Sequence, residues 1–140
     1  MVLNQDGSVT FTPDANFNGT ATFTYPATDG SLDSNSATVT IAVAAVNDPA
    51  VIGGTDTGSV TEDLNVNGQG NLTTSGTLAV ADPDAGEAGF TGTVTPSNGT
   101  LGSLTTSTNG TWTYSVPNTL VQYLKAGETR TETFTVQSID

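Results

Sequence analysis

Residues 81–87 read Ala-Asp-Pro-Asp-Ala-Gly-Glu, and three carboxylates fall within that one short stretch. Asp82 and Asp84 stand at alternate positions, so a turn can aim both at one point, with Glu87 three residues on. Carboxylates crowded in this way suit a hard divalent cation, which takes about 6–8 oxygen ligands at roughly 2.3–2.6 Å. The spacing is not that of an EF-hand, which closes a twelve-residue loop with a glutamate. A solvated acidic turn is the plainer alternative. A further acid, Asp48, stands between two apolar runs in the stretch "AVNDPAV", residues 45–51, where only Asn47-Asp48-Pro49 separates them.

The wider composition restricts the chemistry. Fourteen acidic side chains face two basic ones, Lys125 and Arg130, for a formal charge of -12. Such a chain repels phosphate backbones, so neither nucleic acid nor anionic lipid is an expected partner. The absence of cysteine removes disulfides, zinc–thiolate sites and thiol catalysis. The absence of histidine removes the commonest general base. No Gly-rich phosphate loop links a strand to a helix, and no cleft is implied for paired carboxylates to act on a glycoside. The chain is therefore expected not to be an enzyme. No apolar run is long enough to span a bilayer, and the opening residues lack the pattern of a signal peptide.

The elements that must position these acids are strands. Alternating apolar and polar residues over 8–12, 20–25, 37–46, 76–80, 90–94, 110–116 and 131–136 predict half-buried β-strands. Asn-Gly pairs at 18–19, 98–99 and 109–110 predict turns with positive φ. A sustained helical period is absent, and residues 118–127 are expected to form one helical turn, with Leu120, Val121 and Leu124 closing the end of the core. Trp112 and Tyr114 alternate with threonine and read as core residues rather than a sugar-stacking platform.

A repeat lies in this pattern. "TATFTYPATD" (20–29) and "TETFTVQSID" (131–140) share Thr, Thr, Phe, Thr and Asp in register, and "DGSVTFTP" (6–13) parallels "NGTWTYSVP" (109–117). The first unit then lacks its opening strands. The second stops at Asp140, the counterpart of Asp29, short of a strand resembling "ATVTIAVAAV" (37–46). The boundary falls at "AVNDPAV", with residues 1–48 in one domain and 49–140 in the next. The competing arrangement folds 37–46 back as the last strand of 49–140.

"DGSVTFTPDANFNGTATFTYPATDG" followed by "ATVTIAVAAVNDPA" resembles the closing half of a cadherin-like repeat. "GSVTEDLNVNGQGNLTTSGTLAVADPDAGEAGF" with "NGTWTYSVPN", "LKAGET" and "TETFTV" resembles the VCBS repeat of large secreted surface adhesins of the RTX type. The resemblance implies an all-β fold: Ig-like, cadherin-like β-sandwich modules in tandem, the first of them partial. It implies an extracellular, secreted bacterial protein used as a stalk or in cell adhesion, often stiffened by Ca2+, with neighbouring repeats as partners and a cell-surface glycan or protein as a possible further one. It also adds Glu62 as a candidate ligand. Pro26, within a strand where the family keeps an ordinary residue, departs from the pattern and suggests a strand end.

Sandwich topology then groups the acids. If the strands run A to G from the top, the B–C loop (81–88) lies beside the entering linker, and the E–F loop of the first unit (13–19), with Asp14, lies beside the linker it feeds. Asp14, Asp48, Asp82, Asp84 and Glu87 are thus expected at one seam, where a divalent cation would offset their repulsion.

Overall fold

The computed structural model describes residues 1–140 except for the side chain of Leu3. Every element but one short turn is a β-strand, as the alternating pattern predicts. The chain divides into two compact units, Met1–Asn47 and Asp48–Asp140.

The first unit holds two antiparallel pairs. β1 (Val2–Leu3) pairs with β2 (Val9–Thr10). β3 (Gly19–Tyr25) pairs with β4 (Ala37–Val43), from Gly19 opposite Val43 to Tyr25 opposite Ala37. β3 stops one residue before Pro26, where a ladder donor is lost. Strand β4 belongs to this unit, so residues 37–43 do not fold back as the last strand of the second one. On one face of β3 and β4, Phe23, Val39 and Ile41 line an open apolar groove of about 690 Å³ with Met1 and Val9. Among the described residues, none of 1–47 is buried.

The second unit has a core. β5 (Val51–Gly54), β6 (Asn71–Ala81), β9 (Thr111–Pro117) and β8 (Ser103–Thr106) form one sheet in the order β5-β6-β9-β8. β7 (Phe90–Pro96) and β10 (Phe134–Ser138) form the second. All pairs are antiparallel. The division matches the A-B-E-D and C-F strands of an Ig-type sandwich. Leu78, Phe90 and Trp112 fill one end of the interior and Leu72, Val116 and Val121 the other, with half-buried Tyr114 touching both groups. Trp112 is 5% exposed, and its indole N–H donates to the Thr55 carbonyl at 2.7 Å. That burial leaves the ring no face for a sugar.

Several elements differ from the sequence pattern for local reasons. β5 contains Gly53-Gly54, which reads as a turn, yet a Cβ on Gly54 would lie 2.6 Å from the Thr77 carbonyl oxygen. Only glycine permits that approach at φ +94°. β8 is too short for its period to register. The Asn-Gly turns have glycine at positive φ, as expected: Gly19, Gly99 and Gly110. The helical turn is a 3₁₀ turn over Asn118–Leu120. Val121 and Leu124 pack on the core, but Leu120 points outward at 45% exposure.

β10 begins at Phe134 rather than at residue 131, and Glu132, just before it, is held through its side chain. Its carboxylate accepts the backbone N–H groups of Leu101 at 2.7 Å and Gly102 at 3.1 Å, the Tyr114 hydroxyl at 2.9 Å and Arg130 Nε at 3.1 Å. Burial alone would raise its pKa, but the four donors outweigh burial and hold it below the usual glutamate range. Arg130 also donates to the Gly99 carbonyl, fastening the same loop.

Two predictions follow from this packing. Phe90→Ala removes a fully buried ring and is expected to cost the second unit about 3–5 kcal/mol, whereas Phe23→Ala on the open groove costs less. Urea unfolding followed by Trp112 fluorescence checks this, and equal losses would contradict the assigned core. The Glu132 contribution is present above the ordinary glutamate pKa and is lost as pH falls through its lowered folded value. Glu132→Gln should therefore flatten the acid limb of the stability–pH curve; an unchanged limb would contradict the assigned hydrogen bonds.

Candidate metal centre

The loop between β6 and β7 gathers Asp82, Asp84 and Glu87 at one end of the second unit. The ladder puts Val51 opposite Ala81, so the residues entering β5 arrive beside the residues leaving β6. Asp82 begins the loop with an Asx-type turn: its Oδ1 accepts the Asp84 N–H at 2.7 Å. Asp84 Oδ2 accepts the Asp48 N–H, also at 2.7 Å. The Asp84 carbonyl then accepts the Glu87 N–H at 3.4 Å, which turns the chain and brings Glu87 back toward the aspartates.

One oxygen from each of Asp82, Asp84 and Glu87 can be chosen so that all three lie within 4.8 Å of one another. Two ligands held at 2.3–2.6 Å from a single Ca2+ can be no more than about 5.2 Å apart, so the three fit one ion. A second observation concerns Asp82 alone. Its Oδ2 is shielded from solvent and has no hydrogen-bond partner within the protein. A buried carboxylate oxygen without a donor is costly, and a cation would supply what the backbone does not. The electrostatics agree: burial and the charges of Asp84, Asp82 and Asp140 push the Glu87 carboxyl above its ordinary value. Neither base relieves this loop through an ion pair, since Arg130 bridges to Glu132 at 3.1 Å and Lys125 is exposed after the 3₁₀ turn.

Within the second unit, the acids singled out in the sequence do not all bring a carboxylate to this point. Asp48 reaches the loop through its backbone N–H. Asp14 lies in the first unit between β2 and β3, where its carbonyl accepts the Phe17 N–H at 3.2 Å. Glu62 belongs to the opposite end of the second unit. Past β5 the chain passes Gly58, beside Thr74 and Trp112, and the next residue after Glu62, Asp63, donates its N–H to Asn118 at 2.9 Å, just beyond the end of β9. The eleven-residue β6 spans that gap, roughly 30 Å at about 3.3 Å per residue. Glu62 also carries a buried oxygen, Oε2, with no hydrogen-bond partner in the protein.

Sequence reasoning passed over Asp140, which reads as a frayed terminus. In the structure its Oδ2 accepts the Ala50 N–H at 3.0 Å, and its charge acts on Glu87. The signal was available, because Asp140 is the repeat counterpart of Asp29, which the A-to-G order puts in the F–G turn, at the same end of a sandwich as the B–C loop.

An antiparallel sandwich with a carboxylate cluster where the chain enters defines an Ig-like β-sandwich module. Residues 47–140, more than half of the chain, match the bacterial cadherin-like domain, and residues 1–44 match the cadherin-like domain. The chain belongs to the bacterial cadherin-like family and carries its domains in tandem. Such domains are adhesion-type repeat modules, typically extracellular and generally non-catalytic, and they typically bind Ca2+. A search of the curated proteins finds no match. Among the described residues, no helix is long and apolar enough to cross a membrane.

A titration tests the cluster without any metal. With a folded pKa above the unfolded one, Glu87 makes the metal-free protein lose stability as pH rises through that interval. Carboxyl NMR in the presence of a chelator should place the Glu87 midpoint above the ordinary glutamate range, and Asp84→Asn should bring it down. A midpoint that ignores the Asp84 change would mean that the two carboxylates are not neighbours.

Proposed function

We propose that the 82–87 loop binds Ca2+ and that the ion stiffens the joint by which this module follows its predecessor. On this reading the protein is a non-catalytic segment of a large secreted bacterial adhesin, a stalk or spacer built of repeats. Residues 1–48 are the closing half of one cadherin-like repeat, and 49–140 are a VCBS-type repeat short of its last strand. The observation that carries the proposal is the solvent-shielded Asp82 Oδ2, which lacks a protein donor within a cluster of mutually close carboxylates.

Asp82, Asp84 and Glu87 would hold the ion. The cation would supply charge neutralisation and a fixed coordination shell. Asp84 already couples the loop to the linker through the Asp48 N–H, so ordering the loop also orders the first residue of the module. The Ala50 N–H, bonded to Asp140, ties the next stretch of linker to the end of β10 in the same way. A cation that rigidifies 82–87 therefore acts on the entering chain without a conformational relay.

Calcium should raise the melting temperature of the chain, by about 2.7 kcal/mol of added stability when free ion exceeds the dissociation constant a hundredfold. Asp82→Asn should weaken binding by about tenfold or more, a loss that even outer-shell partners can produce. Calorimetric titration with calcium measures both. Asp14→Asn separates a site closed within residues 48–140 from one that also draws on the preceding module. A melting temperature indifferent to millimolar calcium would end the proposal.

A further inference from the structure

A different feature, independent of the metal site, concerns the Asn-Gly pairs of the second unit: Asn67-Gly68, Asn98-Gly99 and Asn109-Gly110. Asparagine is a chemically labile residue. Before glycine it is most exposed to its own backbone, because no Cβ keeps the next amide nitrogen away from the side-chain carbon. The dipeptide is the same at all three places, so only the surrounding structure can tell them apart.

Two of the pairs are held. Asn109 Oδ1 accepts the Ser107 hydroxyl and, at 3.1 Å, the Thr111 N–H, while the Gly110 N–H donates to the Ser107 carbonyl at 3.0 Å. Gly110 also lies against the Leu78 carbonyl and the Phe90 ring, where even a Cβ would find no room. Asn67 is half-buried, and its Oδ1 accepts the N–H groups of Gln69 at 3.0 Å and Asn71 at 2.9 Å. Asn98 and Gly99 differ. Both are exposed, in the turn after β7. Among the described residues, neither the Asn98 side chain nor the Gly99 N–H has a hydrogen-bond partner within the protein, and a Cβ on Gly99 would meet nothing within 4 Å.

We propose that Asn98 is a site of spontaneous deamidation, and that its conversion loosens the anchorage of the 97–102 loop on Glu132. The Gly99 nitrogen attacks Asn98 Cγ. A new C–N bond forms, the Cγ–NH2 bond breaks, and ammonia leaves with the proton that Gly99 gives up. Water then opens the cyclic succinimide. Opening at the side-chain carbonyl gives aspartate. Opening at the main-chain carbonyl gives isoaspartate, whose backbone runs through Cβ and Cγ and is longer by one methylene. Water is the sole co-reactant, so the product accumulates with the age of the chain.

The position gives the change its effect. The loop is fastened to residues 130–133 on both sides of this peptide bond. Before it, the Ser97 N–H donates to the Thr133 carbonyl at 3.0 Å. At and after it, Arg130 donates to the Gly99 carbonyl, and the Glu132 carboxylate accepts the Leu101 and Gly102 N–H groups at 2.7 and 3.1 Å. A methylene inserted between these fastenings puts the two sets out of register, and the Glu132 bonds are strained or lost.

The test holds the folded chain at mildly alkaline pH and follows each Asn-Gly peptide by mass spectrometry. Asn98 should convert about tenfold or more faster than Asn67 and Asn109, whose hydrogen bonds must open first. In urea the three rates should converge. Equal rates in the folded chain, or the same preference in urea, overturn the proposal. The urea midpoint of the aged protein should fall in step with isoaspartate at position 98. Asn98→Gln, whose longer side chain closes the ring reluctantly, should keep its midpoint under the same ageing. An aged wild-type chain that keeps its midpoint, or an Asn98→Gln chain that loses as much, overturns the link to the Glu132 anchorage.

Discussion

Like charges at close quarters must be held together by something stronger than their repulsion, and in this protein that something is backbone amide. Asp82 and Asp84 converge because the N–H groups of Asp84 and Asp48 are directed at their oxygens. Asp140 is positioned by Ala50 in the same manner. These bonds bring the entering linker, the loop after β6 and the end of β10 to one point. The arrangement satisfies some of the carboxylate oxygens and leaves Asp82 Oδ2 without a protein partner. A charge-balanced loop would have needed only the first half of that arrangement.

The same chemical group shows the opposite behaviour at the other end of the unit. Glu132, like Glu87, is half-buried, but its neighbours are two amides, a phenol and a guanidinium. Its pKa is held down, while that of Glu87 is pushed up. Tyr114 records the reciprocal effect, since burial and the bond to Glu132 both raise its pKa. Burial pushes both carboxyls up; what distinguishes them here is that hydrogen-bond donors surround Glu132, whereas other carboxylates surround Glu87.

The two units divide the energetic work unequally. In the second, two sheets enclose Phe90, Leu72 and Val116, each 1% exposed. In the first, β3 and β4 form a regular ladder of seven pairs whose apolar side remains open. A hairpin of this kind is marginal without something packed on its face. The family likeness of both segments thus coexists with very different burial, and a substitution of the same type has different consequences in each.

Much was legible in the residues themselves. Period-two alternation marked most long strands, Asn-Gly pairs marked turns whose glycines have positive φ, and the spacing of Asp82, Asp84 and Glu87 marked the cluster, because each is a local property of the chain. Only the tertiary structure decided the rest. β5 was hidden because its glycines are required by the close approach of Thr77, a neighbour distant in sequence. Glu62 and Asp82 were separated by the length of β6, which no motif measures. Asp140 joined the acidic loop, and Glu132 gained its donors, through hydrogen bonds to amides some 30–90 residues away. Residue type and spacing express short-range preference, whereas the partner of a buried carboxylate is settled by whichever backbone the fold brings within 3 Å of it.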